Sequence, residues 1–297
     1  MDPTNGHRTG YLFHEALYQC VTPLHVGTGQ DVGLVDLPVA REVTTAYPWM
    51  PGSGIRGSLR RCAEEHAAAS EGGWQEGDVV RIFGTEEGDD PSAGCVAVVD
   101  AKLLLFPVRS SRGVFHWVTC PFVLDRYRRD LAFFCGDAAA GRVTVPPEPA
   151  DDEYLGAGSE PLHLEEFPFR AGNGGWKWSA ALDGVDPGRV VAVHDEVFAH
   201  FVRHATLVRT RNRLSTAKTV LEGHLFSVEA VPPEAVLYGF LGAHEERKEG
   251  DDAYPATTVR DRLRAVVADV PEGTLGHHVF GGDESVGLGL TRVHWQG

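Results

Sequence analysis

The sequence predicts an α+β fold with a split βαβ, or ferredoxin-like, opening, and three observations lead there. Between His14 and Phe134 the hydrophobic pattern alternates between strand and helix periods in the order β-α-β-β-α. A Gly-, Pro- and acid-rich stretch, about 136–187, then stands where a closing strand is expected, and so reads as an insertion. Beyond it, two β-forming runs flank Arg211 to Gly223, the pattern of a projecting hairpin of about 207–228.

Each element has its own signal. His14 to Val26 begins with alternating polarity and β-formers and reaches Pro23, a first strand. A Gly-rich loop carrying Asp31 and Asp36 follows, as far as Pro38. The turn Met50-Pro51-Gly52-Ser53-Gly54 offers Ser53 as the N-cap of a helix to about Ala69, with Leu59, Cys62, Ala63 and His66 on one face. Gly72 to Gly94 is a polar loop with a short element around Val79 to Phe83. Cys95 to Val108, rich in Val and Leu, is a central strand, and Gly113 to Cys120 pairs with it as a hairpin. Pro121 takes the first position of a helix that repeats Phe122, Leu124, Tyr127 and Leu131 at helical spacing. After the insertion come strands at Phe201 to Thr210, Leu225 to Val231 and Ala235 to Leu241, a helix at Thr257 to Val270 and a last strand at Leu290 to Trp295. We read the whole, 1–297, as one domain.

With 297 residues and a hydrophobic fraction of 42%, the chain can bury a sizeable core. No apolar run approaches the ~18 residues of a membrane span, and Met1 to Gly10 is too polar for a signal peptide. Cys20, Cys62, Cys95, Cys120 and Cys135 are scattered and form no CxxC pair, which predicts reduced thiols, a cytoplasmic protein and no zinc site. The net charge of −15 opposes phosphate binding, but its distribution does not. Three windows lack any carboxylate: one holds Arg56, Arg60 and Arg61, another Lys102, Arg109 and Arg112, the third Arg203, Arg209, Arg211, Arg213 and Lys218. Together they predict a local basic groove on an acidic surface.

Five stretches resemble a known family. They are TPLHVGTGQDVGLVDLPVARE (Thr22 to Glu42), PGSGIRGSLR (Pro51 to Arg60), VVDAKLLLFPVRSSRGVFHWVTCPFVLDRYRRDL (Val98 to Leu131), GHLFSVEAVPPEAVLYG (Gly223 to Gly239) and GGDESVGLGL (Gly281 to Leu290). They resemble the RAMP superfamily and, within it, the Cas seven-type backbone subunit of type III-B CRISPR effectors, the Cmr complexes. The resemblance implies a modified RNA-recognition-motif palm with an insertion and a hairpin thumb. It implies a repeating subunit that stacks head to tail, binds guide RNA (crRNA) and cuts the paired target RNA at regular intervals, beside other Cmr-complex subunits.

Asp36 matches the family's cleavage aspartate, and the glycines of its loop let backbone approach a ligand closely. A carboxylate there can hold a divalent cation, Mg²⁺ or Mn²⁺, or orient the attacking 2′-hydroxyl. Taken alone it is also an ordinary turn aspartate. Asp31 competes for the same role. His25 and Glu229 match a family histidine and glutamate near the cut site, each with a structural alternative. Gly52, Ser53 and Gly54 expose N–H groups at a helix N-terminus, and Arg56 and Arg60 share a helix face, which suits the guide's phosphates. Arg209, Arg211 and Arg213 alternate and so face one side of a strand opening the thumb. Gly282, Gly287 and Gly289 resemble the family's C-terminal loop against the guide. Rival readings are a scaffold that does not cut, a type III-A (Csm) relative, and a nucleotide-binding enzyme; the last lacks any GxGxxG or P-loop lysine.

Overall fold

The computed structural model describes residues 10–29, 35–71, 73–75, 77–85, 92–178, 180, 182–214, 218, 220–247, 252–268 and 278–296. Asp31 and Gly33 lie outside them. Strand β1 (Leu12–Cys20) sits inside a large mixed sheet, antiparallel to both β14 (Val236–Ala243) and β16 (Leu290–Gln296). It ends earlier than the alternation suggests, because from Val21 onward the backbone bonds to Leu290 and then Val231. Strand β14 is buried at every position, which accounts for its nearly unbroken apolar run.

From β14 the sheet continues through β6 (Ala101–Arg109) to β7 (Phe115–Thr119), the expected hairpin. Short β5 (Val96–Val98) pairs with β14, and β2 (Trp49–Met50) pairs with β6. The single strand expected from Cys95 to Val108 is thus broken at Val99 and Asp100. The break has a function. Asp100 Oδ1 accepts the Gly52 N–H at 2.7 Å and so caps α1 (Gly52–Ala69) from the break between β5 and β6. The N-cap residue is Pro51, not Ser53, and Ser53 lies exposed in the first turn. The buried face of α1 comprises Gly52, Ile55, Leu59, Ala63 and His66, with Cys62 only half-buried.

Helix α2 (Asp78–Phe83) follows, then the small β3 (Gly84–Thr85) and β4 (Ser92–Ala93) ribbon. Helix α3 (Pro121–Cys135) starts on proline as expected and buries Val123, Leu124, Tyr127 and Leu131. The 136–187 segment is not structureless. It holds α4 (Asp137–Ala140), β8 (Glu153–Gly156), β9 (Leu162–Leu164) and β10 (Phe167–Ala171). These strands extend the main sheet through β11 (Val190–Ala192), which runs parallel to β7. Trp176 and Trp178 are buried there, and Trp176 Nε1 donates to the Thr144 carbonyl at 2.7 Å.

Phe201 is helical rather than extended, within α5 (Asp195–His204), whose apolar residues Phe198, Phe201 and Val202 bury one face. A two-stranded antiparallel ribbon follows, formed by β12 (Leu207–Leu214) and β13 (Val220–Ala230). Helix α6 (Ala256–Ala268) and β15 (His278–Val279) complete the chain before β16. One hydrophobic core runs from β1 into the inserted strands.

Candidate functional site

The candidate site is built around β13. The limb bearing Asp36 lies along its outer edge: Leu37 N–H donates to the Ser227 carbonyl at 3.0 Å, and Glu229 N–H donates to the Leu37 carbonyl at 2.9 Å. Asp36 itself is exposed. Its Oδ2 accepts both the Ser227 N–H at 2.7 Å and the Ser227 hydroxyl at 2.8 Å. The bond from Ser227 N–H, joined by the hydroxyl, pulls the Asp36 carboxyl below its ordinary range, so it is charged at neutral pH. Both bonds fall on Oδ2, and among the described residues none falls on Oδ1.

Glu229 is buried two residues further along the strand, about 7 Å on. Its carboxylate accepts the Val39 N–H at 3.0 Å, Arg41 Nη2 at 2.5 Å and the Thr206 hydroxyl at 2.8 Å. Arg41 also donates to the Ala46 carbonyl at 2.8 Å. Glu229 therefore clamps the loop from Val39 to Arg41 to the thumb base. His25 is buried as well, and its Nδ1 lies 2.7 Å from the Glu229 carbonyl oxygen. A carbonyl only accepts, so Nδ1 carries the proton, and in the neutral ring Nε2 keeps its lone pair. Nε2 sits over Gly27, where any Cβ would come within 2.7 Å of it. Asp36, His25 and Glu229 thus converge on one end of one strand, although only Asp36 is open to solvent.

The glycine-rich C-terminal loop closes the other side. Gly282 N–H donates to the His25 carbonyl at 2.9 Å, and Gly289 N–H to the Pro23 carbonyl at 2.9 Å. Gly281, Gly287 and Gly289 have positive φ angles of 79°, 81° and 86°. At Gly281 and Gly289 a Cβ would also collide with the carbonyl oxygens of His25 and Phe280, so close backbone approach adds to the requirement.

The arginines divide. Arg209 and Arg211 pair in register with Val228 and Phe226, so they share one face of the ribbon, while Thr210 opposite Ser227 lies on the other. Arg209 is exposed; Arg211 is tied to Asp283 of the glycine-rich loop at 2.6 Å. Arg213 falls in the register shift between Asn212 and Leu214, where strict alternation is lost. Arg56 bonds the Phe83 carbonyl, and Arg60 donates to the Gly84 carbonyl at 3.1 Å, so both arginines cap the C-terminal end of α2. Arg60 is also paired with Glu64 at 3.1 Å. Of the helix N-terminus, Gly52 N–H goes to Asp100 and Gly54 N–H to the Pro51 carbonyl, while Ser53 and Gly54 are exposed.

No group of three or more His, Cys, Asp or Glu side chains converges as a metal cage among the described residues. Asp36 offers a single carboxylate rather than a cage, so any Mg²⁺ or Mn²⁺ held there would need its remaining donors from elsewhere. The supporting residues Ser227, Arg41, Thr206 and Asp100 escape a reading of the sequence. Ser227 and Glu229, alternate residues on one strand, carry the one available signal.

The fold is that of an α+β protein with a large sheet and a projecting ribbon, and the site is an exposed carboxylate in a loop bound to that ribbon. The RAMP superfamily model matches residues 17–292, and the chain belongs to that superfamily. Within the superfamily it resembles Cmr proteins over nearly its whole length. It is 29% identical over 296 residues to the CRISPR system Cmr endoribonuclease Cmr4 of Pyrococcus furiosus, covering 92% of each chain. It also superposes on a subunit of the type III-B Cmr-beta complex bound to cognate target RNA, with a TM-score of 0.74, 18% identity and coverage of 96% and 98%. Oligomeric Cmr4 of Pyrococcus furiosus superposes with a TM-score of 0.65, 22% identity and coverage of 96% and 97%. Among the described residues no helix is long and apolar enough to cross a membrane.

Proposed function

We propose that the chain is a repeating backbone subunit of a type III-B CRISPR ribonucleoprotein that binds guide RNA and cuts the paired target RNA at regular intervals. The observation that carries this reading is the Asp36 carboxylate, charged, solvent-facing and fixed to the base of the thumb. The similarity to an endoribonuclease over most of the chain supports it. The partners are guide RNA, target RNA, further copies in a head-to-tail stack, and other Cmr subunits. The palm is a modified RNA-recognition-motif sheet, a reading supported by β1 lying between β14 and β16.

In the proposed reaction the 2′-oxygen of a target nucleotide attacks its own 3′-phosphate. The P–O5′ bond breaks, leaving a 2′,3′-cyclic phosphate and a 5′-hydroxyl; one proton leaves the 2′-oxygen and one reaches the 5′-oxygen. Asp36 orients the attacking hydroxyl through Oδ1 and can accept its proton. Asp36 would be the residue to hold an Mg²⁺ or Mn²⁺, which would supply charge stabilisation at the phosphate when bound. His25 and Glu229 fix the loop that presents Asp36.

Asp36→Ala in every copy should abolish cleavage of a labelled target while guide and target affinities stay near wild type. EDTA should stop cleavage, and Mg²⁺ or Mn²⁺ should restore it. Continued cutting by the uniformly substituted assembly sinks the Asp36 assignment, whereas a wild-type assembly that binds target without cutting it leaves the non-cutting scaffold. The Csm relative of Methanothermobacter thermautotrophicus matches only 25% of the chain, which favours the Cmr reading.

A further inference from the structure

We infer that Ser227 is a positioning residue for Asp36, holding the carboxylate from the thumb of the same chain so that Oδ1 points toward the substrate. The inference rests on the proposed role of Asp36. Three bonds carry it. Ser227 offers its N–H and its hydroxyl to Oδ2, and its hydroxyl oxygen lies 3.0 Å from the Asp36 N–H, which donates to it. One serine thus binds both the side chain and the backbone of the same aspartate. A hydroxyl both donates and accepts, and this geometry uses both capacities.

The arrangement is more than a turn-stabilising contact. An aspartate that merely completes a turn bonds backbone N–H groups of its own loop, whereas these bonds cross to a strand 191 residues away. Both fall on one oxygen, which fixes the plane of the carboxylate and leaves the other oxygen for a ligand. The backbone bonds of Leu37 on either side prevent the loop from sliding along β13. Freed of the hydroxyl, Asp36 keeps the Ser227 N–H alone and can rotate about it. A misplaced reacting group costs rate rather than affinity.

The test uses guide-loaded assemblies in which every copy carries Ser227→Ala, Ser227→Thr or Ser227→Val. Threonine keeps the hydroxyl on a strand-compatible side chain, and valine keeps threonine's shape without it. Single-turnover cleavage should fall about tenfold for Ala and Val, with target Kd within about twofold of wild type. Thr should restore most of the rate. Wild-type rates for Ala and Val, equal rates for Thr and Val, or a loss of target affinity matching the loss of rate would each overturn the inference. If Asp36→Ala is inactive while Ser227→Ala is normal, only the positioning role fails. If Asp36→Ala cuts normally, the cleavage reading fails with it.

Discussion

Glu229 shows how far one residue's role depends on partners distant in sequence. It is buried, and it holds Arg41, Thr206 and the Val39 N–H at once. Glu229→Ala leaves a half-buried guanidinium and a backbone donor without their acceptor, at a cost of about 3 kcal/mol. Chemical denaturation should show it as a lower midpoint with unchanged slope. A shift below about 0.5 kcal/mol, the range of ordinary surface substitutions, would contradict the clamp. The sequence marks His25, Asp36 and Glu229 through motif resemblance, yet it cannot show that His25 and Glu229 touch across 204 positions. Nor does it separate Arg209, which is exposed, from Arg56, whose guanidinium is turned to the Phe83 carbonyl. Charge is legible along a chain; its neutralisation by a folded neighbour is not.

Elements with a strong period were readable, and those set by tertiary contact were not. Helix α3 announces itself with Pro121 and a repeating apolar face, and β14 with an apolar run. By contrast β8, β9 and β10 span three to five residues each, too short to establish alternation, and they exist because β11 gives them a sheet edge to extend. The cap of α1 comes from Asp100, a residue no local rule would select. The glycine-rich loop lies between these cases, since its glycines are visible but their reasons differ. Gly289 combines positive φ with a blocked Cβ, whereas Gly287 has positive φ and open space. Gly287→Ala should therefore cost about 1 kcal/mol, and Gly289→Ala clearly more. Melting temperatures of the two variants, measured side by side, test this order.

At the scale of the whole molecule, half-buried imidazoles contribute to the response to acid. His14 packs against Trp295 with ring centroids 4.9 Å apart; burial, and then Arg260 and Arg264 against a lesser opposing effect of Asp261, lower its pKa to about 4. Burial also lowers His116 and His294, helped by Arg189 and Arg292 respectively. An unfolded histidine takes up its proton near 6.5. Below that value the unfolded chain binds more protons than the folded one, so stability falls as pH drops toward about 4. The melting temperature should decline between about pH 7 and pH 5.5, above the ordinary carboxylate range; a flat or rising profile would contradict it. The pleat of β13 carries a last consequence, for how such chains can diverge. Ser227 and Glu229 serve the Asp36 loop, while Val228 and Phe226 back the arginine face. One residue gained or lost between Phe226 and Ala230 would exchange the two faces and part the Asp36 loop from Ser227 and Glu229 in a single step. The root of the ribbon is therefore held to a fixed count of residues by the two faces it must present at once.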